Sequence, residues 1–107
     1  MGVNVGASRT VSVGADHAVQ TGGAHSEQVG KERSTSVGKD DSLDVGKNLV
    51  INAGDSITIK TGSASITMKK DGTITIKGKD ITIDGSGKIN VKAGKDIVMK
   101  GSKILQN

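Results

Sequence analysis

Glycine returns at every eighth position over the first part of the chain: Gly6, Gly14, Gly22, Gly30, Gly38, Gly46, Gly54 and Gly62. Glycine fills only 16 of the 107 positions, so this many returns at one interval are no accident of composition. A fixed short period is the signature of a repeat architecture. Ahead of most of these glycines stands an alternating segment such as Val3-Asn4-Val5, Val11-Ser12-Val13 or Leu43-Asp44-Val45. Alternation of apolar and polar residues marks a strand with one buried face. The best-formed copies are Leu49-Val50-Ile51-Asn52-Ala53 before Gly54 and Ile57-Thr58-Ile59-Lys60-Thr61 before Gly62.

Each glycine is expected to serve a corner, through a positive φ or through close packing. A short polar turn follows it, often Gly-Lys-Asp or Gly-Lys-Asn, as at Gly38, Gly46, Gly78 and Gly94. Such units do not read as a series of hairpins, because no turn has the two-residue Asn-Gly character. They read as the sides of a prism, one octad to a side and three sides to a triangle.

Residues 1–46 carry polar groups where an interior is expected. Kept in phase, the first inward position of successive strands is Arg9, His17, His25, Arg33 and Asp41, and the second is Val11, Val19, Glu27, Thr35 and Leu43. Burial of bare charge is costly, so Arg9 and Arg33 are expected at corners. From residue 47 to residue 107 the inward set turns aliphatic: Leu49, Ile51, Ile57, Ile59, Ile66, Met68, Ile74, Ile76, Ile81, Ile83, Ile89, Val91, Ile97 and Met99. The phase slips once. Ile66 follows Ile57 by nine residues, and the extra residue is compensated by the seven-residue step from Ile74 to Ile81. A one-residue slip inverts a strand unless a turn absorbs it. The alternation survives here, so the turns are expected to absorb the slip.

A domain of this length depends on aromatic and large aliphatic side chains for its buried area, and this chain has no Phe, Tyr, Trp, Pro or Cys. One copy could bury little. No apolar run approaches the length of a membrane-spanning helix. No secretory leader is expected, since Met1 runs straight into the repeat. That start in mid-repeat predicts a piece of a longer protein. Charge is segregated: residues 1–59 hold five Lys/Arg against seven Asp/Glu, and residues 60–107 hold ten against four. Lys60, Lys69, Lys77, Lys92 and Lys100 fall on outward strand positions, where lysine protects β-structure from edge association. No aromatic is present to stack a base, so nucleic acid is not an expected partner.

Chemistry finds little footing. With two histidines, no cysteine and no Gly-x-Ser-x-Gly, the chain shows no nucleophile–base set, and no enzyme is expected. No cofactor is expected either. His17 and His25 share one phase, and a threefold assembly would turn each into a ring of imidazoles that could hold a metal. As polar residues at a corner they need no metal, and no metal site is assigned.

The choice of solenoid follows from size. A single-chain β-helix with three octads per coil would have about four coils and stand only about 20 Å high, with two open ends. Three identical chains wound about one axis let each octad rise one layer, so about thirteen octads make a rod of about 60 Å. Every strand then pairs across chains, and each Val and Ile enters the interior three times. The expected fold is an all-β, intertwined triple-stranded β-helix, a trimeric needle.

The Val-x-Val-Gly octads, the Ile-Thr-Ile-Lys strands and the Gly-Lys-Asp turns resemble the C-terminal needle of the valine–glycine repeat (VgrG) spike proteins of type VI secretion and the central spikes of contractile phage tails. The resemblance runs from Val3 to about Leu105. It implies a homotrimeric needle on a base domain outside this chain, seated on an Hcp-like contractile tube, assembled in the bacterial cytoplasm and driven through a target envelope. It also implies that the blunt C-terminal end docks a PAAR-repeat cone protein, sometimes carrying an effector. The residues expected at that tip are Lys103, Ile104, Leu105, Gln106 and Asn107. Ile104 and Leu105 are adjacent and cannot both point inward in one regular strand, so one is expected to remain on the blunt face. Glu27, Thr35 and the polar first positions of residues 1–46 depart from the family pattern. The alternative reading is the shaft of a trimeric surface adhesin or phage tail fibre, whose repeats also alternate small aliphatics with glycine.

Overall fold

A computed structural model describes residues 2–107. Among the described residues the chain is all-β and has no helix. It divides into two units, Met1–Asp44 and Val45–Asn107. In the first unit and the start of the second, the backbone bends at Gly6, Gly14, Gly22, Gly30, Gly38, Gly46 and Gly54 and at the residue after each, and at no other described position of that stretch. The octad glycines therefore stand at corners. The reason is not a left-handed backbone, because among all the octad glycines only Gly62 has a positive φ, of 54°.

The second unit holds one three-stranded antiparallel sheet in the order β1-β2-β3: β1 Ser56–Thr61, β2 Ala64–Lys69 and β3 Ile74–Lys77. This differs from the expectation that successive octads follow one another around a prism. The chain instead reverses where the period slips. Thr61 pairs with Ala64, leaving the two-residue turn Gly62-Ser63, and glycine with positive φ at the first turn position matches the twist of the flanking strands. The second reversal closes on Lys69, whose amide donates to the Thr73 carbonyl at 3.0 Å and whose carbonyl accepts from the Gly72 amide at 3.0 Å. Gly72 has φ 95°, the glycine-assisted bulge of a three-residue hairpin loop.

The Asp71 carboxylate braces this turn by accepting the Thr73 amide at 3.0 Å. That bond holds its pKa below the ordinary 3.8, so the brace is present above that value and is lost as pH falls through the lowered one. Lys70 ties the turn to the residue before β1: its amide donates to the Asp55 carbonyl at 2.9 Å, and its ammonium lies 3.4 Å from the Asp55 carboxylate.

A β-branched residue cannot follow the backbone of Gly72. Gly72→Val should weaken the folded chain by roughly 1–3 kcal/mol, the range for a side chain held at positive φ. An unchanged midpoint in denaturant would mean that the second turn contributes nothing to stability.

Candidate functional site

The register of the sheet sorts its side chains into two unlike faces. Ile57 lies opposite Met68, which lies opposite Ile74; Ile59 lies opposite Ile66, which lies opposite Ile76. These six residues form two continuous apolar rows on one face. The other face carries the row Thr58, Thr67 and Thr75 and, beside it, Lys60, Ser65 and Lys77, with Lys69 opposite Ser56. The alternation expected for Ile57, Ile59, Ile66, Met68, Ile74 and Ile76 therefore gathers them on one surface.

That surface is open. No described residue of the chain is buried, and the chain exposes 11894 Å², where a compact globular chain of its mass exposes about 5,600 Å². On the apolar face Ile59 is 62% exposed and the more central Ile66 still 43%; only Ile57 is half-buried. Two clefts extend the face at its ends. One, of about 390 Å³, runs past Ile59, Ile66 and Ile76 to Ile81, just beyond the bend at Lys79 and Asp80; a Cβ on Gly78 would come within 3.3 Å of the Ile81 side chain. The other, of about 160 Å³, joins Ile57 and Met68 to Ile51 and Ala53.

The remaining residues expected in an interior, Leu49, Ile51, Ile81, Ile83, Ile89, Val91, Ile97 and Met99, are all exposed in the single chain. Outside the sheet and its turns, no backbone–backbone hydrogen bond occurs among the described residues. Residues 2–54 and 78–107 thus hold their amide and carbonyl groups open to a partner. Buried backbone groups are nearly always paired, so burying these segments would require partners for those groups, which neighbouring strands can supply.

In the first unit, three of the polar positions from successive octads meet around Glu27. Arg33 Nε lies 3.1 Å from the Glu27 carboxylate, and His25 Nε2 lies 3.8 Å from its other oxygen. All three are exposed, and such pairs contribute at most about 1 kcal/mol. His17 takes no part in this cluster. No group of three or more His, Cys, Asp or Glu that could hold a metal lies together among the described residues of the single chain.

At the C-terminal end, Gly101 is a tight position: a Cβ there would come within 3.2 Å of the Lys103 backbone carbonyl. Beyond it Lys103, Ile104, Leu105, Gln106 and Asn107 are all exposed, Leu105 to 91%. The adjacent apolar pair is presented without cover from its own chain. Sequence reasoning missed the antiparallel sheet. The signal that could have found it is Asp71-Gly72 between two alternating apolar runs, among the strongest short-range hairpin signals. No model of a known protein family matches the chain, and no curated protein matches it.

Proposed function

We propose that the chain is one strand-donor of a homotrimeric, triple-stranded β-helical needle, a mechanical spike of the VgrG kind, rather than an enzyme. The observation that carries this reading is the open backbone. Outside the sheet, segments with alternating apolar residues recur between corners, and among the described residues none of these makes a backbone hydrogen bond within its own chain. A chain so built reaches a closed, hydrogen-bonded state by pairing with copies of itself, where identical octads meet at one height.

The octad glycines support the same reading. Nothing lies within 4 Å of a Cβ placed on Gly6, Gly14, Gly22, Gly30, Gly38, Gly46 or Gly54, and none of these has a positive φ. A lone chain has no use for glycine there. Close approach of a second backbone at each corner supplies one.

Mechanical work follows from that assembly. Cross-chain pairing of residues 2–54 and 78–107 leaves those segments no lateral edge, and a continuous aliphatic interior resists bending because packed side chains transmit strain rather than yield. The base domain, the Hcp-like tube, the transient meeting with a target membrane and delivery by the type VI machinery come from the resemblance. The exposed Ile104-Leu105 end supports docking of a PAAR-type cone or an effector. Mixing the purified chain with a PAAR-repeat cone protein from the same genome should give a complex that survives gel filtration. A stable trimer that binds none of those cones would remove the spike reading and leave the shaft of an adhesin or tail fibre.

A further inference from the structure

We infer that the β1-β2-β3 sheet is the register lock of the assembly: its apolar face docks on the same face of two other copies, and only that contact sets the height at which three chains align. The inference rests on the trimeric reading above and adds to it a site and a role.

A strictly repeating strand is a poor guide to its own alignment. Moving one chain by a whole octad returns every corner glycine from Gly6 to Gly54 to a glycine and most polar first positions to polar ones, with Glu27 and Thr35 the main interruptions of the apolar second positions, so this stretch discriminates only weakly against slipped pairings. The sheet is the place where the repeat is broken. Its strands run antiparallel within one chain, and its turns at Gly62 and Gly72 have no counterpart in the octads. Shift one copy by an octad and its sheet meets straight segments instead of sheets.

The occupant follows from area and charge. Five of the six apolar side chains are exposed, each with on the order of 100 Å² to cover, giving about 500 Å² per chain. That is as large as the largest patch on a typical monomer, and together with the clefts at Ile51 and Ile81 it approaches the roughly 800 Å² that each partner gives to a standard interface. The apolar face carries no charge, whereas the opposite face carries Lys60, Lys69 and Lys77. Like charges keep the second face in water and leave the first to self-association around the axis. Within each sheet the strands already pair with one another, so copies meet here by side-chain packing rather than by exchange of strands.

The chain has no cysteine of its own, so a nitroxide at Lys92→Cys reports spacing between copies without background. In the labelled chain without further change, pulsed electron spin resonance should give one narrow distance, that of an equilateral triangle. The triple variant Ile59→Thr/Ile66→Thr/Ile76→Thr should give several distances, or no trimer at all. Deletion of residues 39–46, a whole octad outside the sheet, should keep both the trimer and the single distance. The inference is overturned if the triple variant keeps one narrow distance, or if the octad deletion scatters distances or abolishes assembly as the triple variant does. A monomeric labelled parent would instead remove the trimeric reading beneath it.

Discussion

Ile59→Asp is expected to leave the chain unassembled. Ile59 lies opposite Ile66, in the row that continues to Ile76, in the middle of the apolar face. In a trimer closed on that face, three carboxylates would share the axis with no cation near them. An uncompensated buried charge costs several kcal/mol, threefold symmetry repeats it, and mutual repulsion adds to it. Marginal assemblies do not survive losses of that size. Asn4→Asp is the matched control: it adds the same charge at an outward, exposed position of the first octad and should leave mass and melting temperature unchanged. Light scattering and thermal melting of both variants read the difference. If Ile59→Asp assembles and melts like the parent, the apolar face is not the one that packs.

Leu105→Lys should separate assembly from docking. Leu105 is 91% exposed beside the half-open Ile104, and no residue of its own chain depends on it for packing. Loss of a central apolar anchor from a small interface costs about 2 kcal/mol or more, roughly thirtyfold in affinity. A cationic replacement next to Lys103 adds repulsion among three copies. Binding to a PAAR-type cone, measured by calorimetry or pull-down, should therefore fall by at least that factor while the trimer's mass is unchanged. Deletion of residues 104–107 should act alike. Unchanged cone binding by both variants would show that the tip lies elsewhere.

Local order was legible in the sequence because it follows from periods of eight and two. The corners fall at the octad glycines, and Ile57, Ile59, Ile66, Met68, Ile74 and Ile76 share a face. The direction of the chain was not legible from alternation, which is the same whether a strand continues around a prism or turns back on its neighbour. The nine-residue step from Ile57 to Ile66 is the room taken by Gly62-Ser63, and the Lys70-Asp71-Gly72 loop supplied the second reversal. Both were readable as turns; reading them as corners of one uniform solenoid hid the sheet. The corner glycines were expected to serve through a positive φ or through close packing, and only Gly62 among them takes the first route. The ion pair of Arg33 with Glu27 was beyond reach for a different reason: whether side chains of successive octads meet depends on the corner between them.

Mass in solution tests the central claim most directly. A chain of 10.9 kDa that buries none of its described apolar residues should be found as a trimer of about 33 kDa. Its assembly should be obligate, so light scattering coupled to gel filtration should return that mass across a hundredfold dilution, with no folded single chain at the low end. A folded species of 10.9 kDa, stable on dilution and cooperative in its melting, would contradict the account.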